Sequence, residues 1–556
     1  MDYNRLADLL FPNVTKTPAE IEEEFPRRSL PEGAKVTRLA PSPTGFIHFG
    51  TLFPALVNER LAHQSEGIFF LRVEDTDSKR EVEGAEEDLI NTLAYYRIEF
   101  DEGAVAGGDK GIYGPYRQSH RADIYHVFAK QLVREGKAYP CFSSEEELEQ
   151  LKTTDKKAEI QNKEWHTDEA AQRAQRQAEQ RSITYEEAEA QIKAGNPFVL
   201  RIVALGDPEK KTPFTDLIKG SLQVPENDED FVLLKSDGIP TYHFAHAVDD
   251  HLMGTTHVIR GEEWLPSLAK HIQLFQYLGF KMPKFMHLAQ LMKLDGNSKK
   301  KLSKRDKGAA LADYKAEGYP PESVIEYVMT LLNSNYEDWR RANQDADWKS
   351  FPFSIKKMNT SGALFDLDKF TDVSKTTISR MDAEKAYNGI ADWAKEYDTE
   401  FSALLTRDPE YAKRILAIGR GGKKPRKDLA KWNEAKDYMS FFYDELFTVV
   451  DEYPKGFDTA DIKAALEAFA ASYDHNTDNN GFFENVKAVS EKLGFSPDVK
   501  AYKASPESFK GHVGDVSGFI RVAVTGRQNS PDLFEIMQIL GYERTVARVK
   551  AAADKL

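Results

Sequence analysis

Hydrophobic and polar positions divide the chain into two regions with different periodicities. In the first region, short apolar runs of strand length, such as residues 36–40, 68–73 and 231–235, alternate with amphipathic stretches of helical spacing. From about Ala383 to the end, apolar residues recur at helical spacing with few strand-like runs. Buried apolar strands that alternate with helices are typical of a parallel sheet. The pattern therefore predicts an α/β first part and an all-α second part.

One stretch near the start has the layout of a phosphate-binding loop. Residues 36–51 read VTRLAPSPTGFIHFGT, in which an apolar strand breaks at prolines and a glycine and then enters a helix. Amide groups and the positive end of the helix dipole point into such a loop. His48 at the helix start can donate to a phosphate oxygen, and Gly50 leaves room for a flat ring such as adenine. Because no GxxxxGK or GxGxxG pattern is present, an ordinary α/β connection is equally compatible with this stretch alone.

A strongly basic segment lies much further along the chain. Residues 299–307, KKKLSKRDK, hold six basic residues in nine positions and follow a turn-like stretch at 295–298. A mobile cationic loop of this kind suits a leaving group that carries several negative charges. Alone, the segment would be interpreted as a solvated basic loop.

The two stretches together resemble the signatures of class I aminoacyl-tRNA synthetases. HFGT resembles the His-Ile-Gly-His signature, and KLSKR resembles the Lys-Met-Ser-Lys-Ser signature. With RLAPSPTGFIHFG, RVEDTD and TYHFAHAVDDHLMGTTHVIRGEEW, the chain resembles glutamyl-tRNA synthetases of the bacterial type from residue 36 onward. The resemblance implies a Rossmann-like α/β nucleotide-binding catalytic domain with an inserted α+β acceptor-binding domain, followed by all-α C-terminal anticodon-binding domains.

The domain boundaries expected from this resemblance leave the first residues outside it. Thr17, Pro18 and Glu20 predict a capped start for a short exposed helix in that N-terminal part. The expected divisions are residues 1–35 as an N-terminal extension, 36–112 with 237–307 as the catalytic domain, 113–236 as the inserted acceptor-stem-binding domain, 308–375 as a stem-contact domain, and 376–455 and 456–556 as two helical anticodon-binding domains.

Charged residues at predicted strand ends outline an amino-acid pocket. Arg38 lies near the end of the first strand, Glu74 follows the second, and Arg260 ends a later one. Ligands bind at the carboxyl ends of strands in open α/β sheets, and two arginines suit a substrate with two carboxylates. Each arginine alone would be interpreted as a surface salt bridge, but their joint placement favours a pocket. The resemblance assigns the amino group of glutamate to Glu74 and completes the glutamate-binding set with Ala40, Ser42, Tyr242 and His246, the last at a position usually held by Asn.

The resemblance also implies the reaction and the residues that carry it. The α-carboxylate of glutamate attacks the α-phosphorus of ATP, supplied with Mg²⁺, which gives glutamyl-adenylate and pyrophosphate. A ribose hydroxyl at the 3′ end of the tRNA then attacks the activated carbonyl, and AMP leaves. His48 is expected to contact the phosphates, and Lys301 and Lys304 are expected to contact the departing pyrophosphate. The expected ATP-binding residues are His48, Gly50, Thr51, Glu263, Trp264, Lys301, Ser303, Lys304 and Arg305, of which His48, Lys301 and Lys304 are catalytic.

The net charge of −15 does not by itself indicate a nucleic-acid partner. Binding depends on local basic faces, and residues 413–431 hold eight Lys or Arg against one Asp. Within that segment, PRKDL resembles the anticodon-reading stretch of the family, and the resemblance assigns its Arg426 to the anticodon. Residues 520–541 resemble the C-terminal helices of the family, and the resemblance assigns Arg521 there to the anticodon as well. The expected partners are tRNA-Glu, ATP and L-glutamate, with tRNA-Gln left open. The segment at 371–378 departs from the family pattern and leaves its contacts open.

Composition excludes several other classes of protein. No apolar run reaches the length of a membrane helix, the first residues lack the features of a secretory signal, and Cys141 is the single cysteine. A lone cysteine excludes an internal disulfide and a Cys-rich zinc site. The spacing of His243, His246 and His251 does not repeat a known zinc pattern, so we favour polar packing for them over metal binding. We expect a cytoplasmic monomer with no zinc and no other metal site.

Three competing functions are weighed against this hypothesis. A catalytically silent tRNA-binding paralogue would lose the lysines of the basic segment, and both Lys301 and Lys304 are present. A small-molecule adenylate-forming ligase would lack the long helical tail. A relative that charges a modified base would also be much shorter. Glutamine as the substrate is disfavoured by the two arginines.

Overall fold

The structure, a computed structural model, describes residues 1–45, 47–77, 79–142, 166–296, 298–302 and 310–556, with the backbone only at 166–172 and 295. The chain divides into two compact units. The first contains residues 1–312 and 328–365, and the second contains residues 313–327 and 366–556. The first unit combines helices with sheets and the second is helical, which confirms the predicted fold class.

The bounds of the elements are as follows. The strands among the described residues are β1 (Val36–Leu39), β2 (Ile68–Leu71), β3 (Glu102–Val105), β4 (Gly108–Lys110), β5 (Ala138–Cys141), β6 (Val199–Ile202), β7 (Lys211–Asp216), β8 (Gly220–Pro225), β9 (Val232–Leu234), β10 (His257–Gly261), β11 (Lys284–Leu288), β12 (Leu291–Asp295), β13 (Ser298–Lys301) and β14 (Ala363–Leu364). The α-helices up to residue 342 are α1 (Tyr3–Leu10), α2 (Pro18–Glu24), α3 (Phe49–His63), α4 (Ala85–Tyr95), α5 (Ala122–Arg134), α6 (His166–Arg181), α7 (Tyr185–Lys193), α8 (Tyr242–Leu252), α9 (Leu268–Leu278), α10 (Leu311–Glu317), α11 (Pro321–Leu332) and α12 (Tyr336–Ala342). The later α-helices are α13 (Leu367–Arg380), α14 (Ala383–Tyr397), α15 (Thr399–Arg407), α16 (Pro409–Ala417), α17 (Ala435–Met439), α18 (Thr459–Ser472), α19 (Asn479–Lys492), α20 (Val499–Ala504), α21 (Val513–Thr525), α22 (Leu533–Leu540) and α23 (Tyr542–Asp554). Short 3-10 helices occupy Gln118–Arg121, Glu262–Ser267, Trp348–Ser350, Ile355–Lys357, Trp432–Glu434, Ser440–Phe442 and Pro506–Ser508.

Two sheets of parallel strands meet at the first residues of β1 and β10. In one sheet β1, β2 and β3 run parallel with β4 antiparallel at the edge. In the other, β10, β11 and β7 run parallel with β8 antiparallel at the edge. Thr256, directly before β10, connects them, because its amide donates to the Val36 carbonyl at 3.0 Å and its hydroxyl oxygen accepts from the Val36 amide at 2.8 Å. This arrangement brings the residues that follow β1, β2 and β10 to one edge, as the sequence predicts.

The apolar pattern explains why these strands and the helix between them form. All four residues of β1 are buried, and so are the last three of β2, as expected for strands covered on both faces. Helix α3 begins after His48, its N-cap residue, at the position that the sequence predicts. Its side chains Leu52, Leu56 and Leu61 are at most 5% exposed, so they belong to the core.

The inserted segment contributes to two sheets. Strands β5, β6 and β9 form an antiparallel sheet of their own. Strand β7 instead pairs with β11 through Asp216 and Phe285, so residues 211–225 extend the second parallel sheet. Residues 143–165 lie outside the described residues, and α6 and α7 follow them.

The first residues pack against the body of the first unit. Helix α2 has the predicted capping box of Thr17 and Glu20, but its Ile21 is only 2% exposed, and Leu6 and Ala7 of α1 are fully buried. These apolar side chains belong to the same core cluster as residues of α5 and α9. The prediction of an exposed N-terminal helix is therefore wrong in part, because the helix covers an apolar face that the sequence alone does not identify.

The first half of the basic segment is a strand. Strand β13 pairs antiparallel with β12, and Asp295 stands opposite Ser298 across the tight turn, as the turn-like sequence predicts. Lys299, Lys300 and Lys301 therefore belong to a hairpin and not to the predicted loop. Residues 303–309 lie outside the described residues.

The second unit contains a large core cluster. Its side chains extend from Ile378 to Ala553, across the predicted boundary at residue 455. Helix α13 begins at Leu367 with Asp366 as its N-cap, whose side chain accepts from the Lys369 amide, so residues 371–378 remain helical despite their departure from the family pattern. Among the described residues, no helix is long and apolar enough to cross a membrane.

Candidate active site

A cavity of 590 Å³ opens at the carboxyl ends of β1, β2 and β10. Ten of the residues that the sequence assigns to a ligand line this cavity: Arg38, Ala40, Ser42, Gly50, Thr51, Glu74, Tyr242, Arg260, Glu263 and Trp264. They come from the ends of β1, β2 and β10, from helices α3 and α8, and from the 3-10 helix at Glu262–Ser267, segments that lie far apart in the chain. The sheet brings them together because parallel strands direct their carboxyl ends to the same edge.

A second cavity of 450 Å³ adjoins the first. Gly50, Pro54, Gly261 and Glu263 line both cavities, while His48 and Lys301 line only the second among the residues described here. The segment from the end of β11 to the start of β12 completes the walls of the second cavity with Leu288, Ala289, Gln290 and Leu291. The two cavities therefore form one bipartite cleft with the α3 N-terminus between them.

The chain on both sides of the undescribed segment 303–309 lies at His48. Leu302 lines the second cavity together with His48, and Ala310 forms an antiparallel bridge with His48. The Leu311 amide donates to the Ile47 carbonyl at 3.1 Å. Ser303, Lys304 and Arg305, which the sequence assigns to ATP, lie outside the described residues.

Gly50 has a steric role beside His48. A Cβ atom at Gly50 would lie 2.7 Å from Cε1 and 2.8 Å from Nδ1 of the His48 ring, well inside van der Waals contact. The absence of a side chain at this position therefore lets the imidazole fold back over the first turn of α3. The sequence predicts a Gly50 role toward a ligand ring, and the structure adds this role toward the histidine.

Glu74 is a buried carboxyl group at the inner wall of the first cavity. It is 5% exposed and accepts a hydrogen bond of 3.1 Å from Nη2 of Arg72. Burial raises the pKa of Glu74 to about 7, against the opposing effect of Arg72 and Arg38. A buried carboxyl group of this kind is suited to receive an ammonium group, because the added positive charge favours its ionised form.

Arg38 and Arg72 both donate hydrogen bonds to one carboxylate, that of Asp250, which the sequence did not single out. Asp250 in α8 accepts from Nε of Arg38 at 3.0 Å and from Nη1 of Arg72 at 2.8 Å. Burial raises the pKa of Asp250, but the two guanidinium groups hold it well below its usual range. Asp249 continues the cluster by accepting from Arg121 at 2.8 Å and from the Tyr125 hydroxyl at 2.8 Å. The sequence did contain a pattern that indicates this cluster, because Asp249 and Asp250 are adjacent acids directly after the apolar residues Ala247 and Val248 of a helix.

Arg260 has a different environment from Arg38. Its Nε atom donates to Nε2 of His287 at 3.0 Å, and its Nη1 atom lies 2.9 Å from Nδ1 of His271. The Tyr242 hydroxyl accepts from the same Nη1 at 3.4 Å. Burial lowers the pKa of Arg260 from its ordinary value, although an arginine stays charged at neutral pH. His271 and His287 were not singled out by the sequence.

His246 lies behind the cavity wall. It is fully buried, its ring stacks on that of Tyr242 at 5.6 Å, and its Nδ1 atom lies 2.6 Å from Asp250. Burial lowers the pKa of His246 to about 4. Tyr242 itself lines the cavity with its ring 4.3 Å from that of Trp264. His246 therefore acts on the cavity through Tyr242 and Asp250.

The three histidines of α8 face different partners. His243 contacts His271 at 2.9 Å, His246 contacts Asp250, and His251 contacts Glu22 at 2.9 Å. In the part of the chain that the structure describes, no group of three or more His, Cys, Asp or Glu side chains could hold a metal ion. Polar packing accounts for these histidines.

The second unit holds its own cavity of 290 Å³ beside the basic segment. Arg426 lines it and pairs with Asp428 through two hydrogen bonds of 2.8 Å. Arg521 donates to the Pro531 carbonyl at 2.7 Å, and Pro531 also lines the cavity. Of the two arginines that the sequence assigns to the anticodon, Arg426 therefore lines this depression and Arg521 contacts a residue of its wall.

Comparison with known families divides the chain in the same way as the fold. Residues 35–360 match the family described as tRNA synthetases class I (E and Q), catalytic domain. Residues 423–553 match the family described as anticodon binding domain.

Relatives of known name cover the whole chain. A glutamate–tRNA ligase of Acetivibrio thermocellus is 49% identical over 552 residues, which is 99% of this chain and 100% of the relative. A glutamate–tRNA ligase of Clostridium perfringens strain 13 is 49% identical over 555 residues, with 99% and 100% covered. The crystal structure of a glutamate tRNA ligase from Elizabethkingia meningosepticum in complex with its amino acid matches with a TM-score of 0.71 at 27% identity, over 94% of this chain and 99% of that one.

Proposed function

The chain belongs to the class I tRNA synthetases for glutamate and glutamine, and we propose that it is a glutamate–tRNA ligase. In this reaction L-glutamate is activated with ATP and transferred to the 3′ end of tRNA-Glu, with release of AMP and pyrophosphate. The observation that carries the proposal is one cleft in which a buried carboxyl group and two arginines line a first cavity that adjoins a second one. Full-length relatives of the same name support it.

The first cavity has the charges that glutamate requires. We assign the ammonium group of glutamate to Glu74, and its two carboxylates to the side of the cavity where Arg38 and Arg260 lie. Guanidinium groups bind carboxylates through parallel hydrogen bonds. Glutamine would place a neutral amide where a second carboxylate is expected, so the pair of arginines favours glutamate.

The second cavity is assigned to ATP, which binds as its magnesium complex. His48 stands at the positive end of the α3 dipole, where an imidazole N–H can donate to a phosphate oxygen. Lys301 lines the same cavity and is assigned to the pyrophosphate, together with Lys304. Phosphoryl chemistry of this kind depends on positioning and charge stabilisation. The carboxylate of glutamate attacks the α-phosphorus, and pyrophosphate leaves toward the lysines.

The second step is transfer to the tRNA. A ribose hydroxyl at the 3′ end of the tRNA attacks the carbonyl carbon of glutamyl-adenylate, the ester bond to tRNA forms, and AMP leaves with the phosphate oxygen. Arg426 and Arg521 are assigned to the anticodon, supported by their position at one depression in the basic part of the second unit. We further propose that the enzyme is a cytoplasmic monomer and that it uses no zinc.

The test is ATP–pyrophosphate exchange with purified protein. We expect exchange with L-glutamate when tRNA-Glu is present, because activation in this family is expected to require bound tRNA, and little exchange with L-glutamine. A parallel reaction with tRNA-Gln decides whether that tRNA is also a substrate. Lack of glutamate-dependent exchange in the presence of either tRNA would overturn the proposed function.

A further inference from the structure

The guanidinium of Arg260 is surrounded by neutral acceptors. Its three hydrogen-bond partners are Nε2 of His287 at 3.0 Å, Nδ1 of His271 at 2.9 Å and the Tyr242 hydroxyl at 3.4 Å. Among the described residues, no carboxylate lies within 4.0 Å of it, and its Nη2 atom is buried without a hydrogen-bond partner. Arg38, by contrast, is paired directly with Asp250 through two of its nitrogen atoms.

These contacts fix which ring nitrogen of His271 carries the proton. An arginine nitrogen can only donate, so Nδ1 of His271 must be the unprotonated acceptor. The proton of His271 is therefore on Nε2, which donates to Nδ1 of His243 at 2.9 Å. Burial lowers the pKa of His243 to about 4 and that of His271 below its ordinary value, in agreement with two neutral rings.

The contacts of His287, the second histidine that accepts from the guanidinium, likewise fix which of its ring nitrogens carries the proton. Nε2 of His287 accepts from Nε of Arg260, so the proton of His287 is on Nδ1 and is donated to Asp216 at 2.7 Å. Asp216 also accepts from the backbone amides of Ile218 and Lys219 at 2.9 and 2.8 Å. The nearest anion on this side therefore stands one imidazole ring away from Arg260.

A neutral cradle of this kind has a consequence for recognition. A carboxylate in direct contact would neutralise Arg260 and occupy its paired donors, as Asp250 does for Arg38. Neutral imidazoles orient the guanidinium and leave its charge and its remaining donor, Nη2, for a ligand. Since buried charges without compensation are costly, the site gains most from a ligand that brings an anion to this position.

We propose that His271 and His287 are positioning residues that orient Arg260 and keep it uncompensated, so that it selects the second carboxylate of glutamate over the amide of glutamine. This inference rests on the proposed function of the same cleft. It assigns the discrimination between the two amino acids to a pair of neutral histidines that need not touch the substrate. Arg38, which is paired with Asp250, adds less to this charge selection than Arg260 does.

The first experiment compares two substitutions at His271 by ATP–pyrophosphate exchange with tRNA-Glu. His271→Leu removes the acceptor, and His271→Asn keeps an amide oxygen near the Nδ1 position. We expect His271→Leu to raise the KM for glutamate about tenfold or more, the size expected for a lost hydrogen bond to a charged group. His271→Asn should recover most of that loss, and the KM for ATP should stay within about twofold of the wild-type value in both variants.

The second experiment addresses His287 and supplies a matched control. His287→Leu removes the acceptor at the Nε2 position, and we expect it to lower the ratio of kcat/KM for glutamate to that for glutamine, again with an unchanged KM for ATP. His257→Asn is the control, since His257 is also a buried histidine, on the same strand as Arg260 but at its other end, where its ring contacts Thr256. It should leave both KM values unchanged.

The outcomes separate this inference from the proposed function. If the wild-type enzyme shows no glutamate-dependent exchange, the proposed function fails first. If it does, and His271→Leu and His271→Asn are equally impaired, or the KM values for glutamate and ATP rise together, the histidines have a structural role only and the inference is overturned. Thermal melting of each variant identifies one that fails to fold, and the comparison then depends on the remaining position.

Discussion

At the scale of single residues, the protonation of Glu74 changes the charge of the first cavity, to which we assign glutamate. Burial raises its pKa to about 7, so the group is largely ionised above that pH and largely protonated below it. A protonated carboxyl group holds an ammonium group less well than a carboxylate does. We therefore expect the KM for glutamate to rise as the pH falls through about 7, measured by exchange at saturating ATP and tRNA.

The control for this prediction removes the titrating group. Glu74→Gln should have a high KM for glutamate at every pH, without the rise below neutrality. If the variant keeps the wild-type pH profile, the profile belongs to another group and the assignment of Glu74 to the ammonium group is wrong.

Gly50 gives a second prediction at this scale. Gly50→Ala would place a methyl group 2.7 Å from the His48 ring and displace it from the α3 N-terminus. Loss of one well-placed donor typically costs about a hundredfold in rate, so single-turnover adenylate formation should fall by about that factor. Gly108→Ala is the control, because no atom lies within 4 Å of its added carbon. Unchanged adenylate formation in Gly50→Ala would exclude a contact of His48 with the phosphates.

The residues that face the cleft could be predicted from the sequence, and those that hold them could not. Arg38, Glu74 and Arg260 follow recognisable apolar strands, and parallel strands bring such positions together. Asp250 and His271 lie on helices, and their partners come from strands far away in the chain. No local pattern specifies which buried polar side chains on a helix will contact an arginine at a strand end. The supporting contacts of Asp250 and His271 could therefore not be predicted from the sequence.

At the scale of elements, helix α3 is tied at its carboxyl end by a protonated histidine. Nε2 of His63 contacts Asp101 at 3.0 Å and Nδ1 contacts Glu59 at 3.0 Å. The hydrogen bond to Asp101, followed by that to Glu59, raises the pKa of His63 from 6.5 to about 9. Because the folded pKa is above the unfolded one, the resulting stabilisation is fully present below pH 6.5 and is lost as the pH rises through 9.

The measurement compares melting temperatures of the wild type and His63→Gln across this range. The wild type should be more stable below about pH 6.5, and the difference should shrink as the pH approaches 9 and vanish above it. A difference that is constant with pH would mean that His63 stabilises α3 by packing alone.

The N-terminal segment is a second element whose contribution can be measured. Arg28 donates to both carboxylate oxygens of Glu102 at 2.8 Å, lies over the Tyr113 ring at 3.8 Å, and donates to the Met253 carbonyl at 2.8 Å. The two paired side chains are only 8% and 17% exposed. Arg28→Ala should therefore lower the free energy of unfolding of the first unit by about 3 kcal/mol, because it leaves the half-buried Glu102 carboxylate without its ion-pair partner.

An exposed ion pair in the same segment is the control. The side chains of Lys16 and Glu24 are 52% and 49% exposed, and Lys16→Ala should change the stability by less than about 1 kcal/mol. Equal effects of the two substitutions in urea unfolding would show that the N-terminal segment is not anchored through Arg28.

The packing of this segment also explains one limit of the sequence. The capping box of α2 is a local pattern, and it was predicted to the residue. The burial of Leu6 and Ile21 depends on an apolar face of α5, more than a hundred residues later. Local capping is encoded by neighbours in the chain, whereas burial is decided by a distant partner.

At the scale of the whole molecule, the α/β unit and the helical unit each follow from the change in hydrophobic period along the chain. The internal boundaries are less accessible to sequence. Residues 211–225 read as part of an insertion but extend the second sheet through β7, and one core spans residues 378–553. Pairing of strands and merging of cores depend on three-dimensional contacts that period alone does not specify.

The central claim is that the two adjoining cavities form one site, with glutamate in the first and the nucleotide in the second. It predicts that a ligand spanning both will bind far more tightly than either part, because the second half binds at the effective concentration set by the first. The most direct measurement is calorimetric titration of the protein with a non-hydrolysable glutamyl-adenylate analogue, beside titrations with glutamate and with AMP.

The account predicts that the analogue binds at least about a hundredfold more tightly than AMP or glutamate alone. It also predicts that His48→Ala and Arg260→Leu each weaken the analogue, although the two side chains line different cavities. An analogue that binds no more tightly than AMP, or whose affinity is insensitive to Arg260→Leu, would contradict the claim that one cleft joins glutamate to the nucleotide.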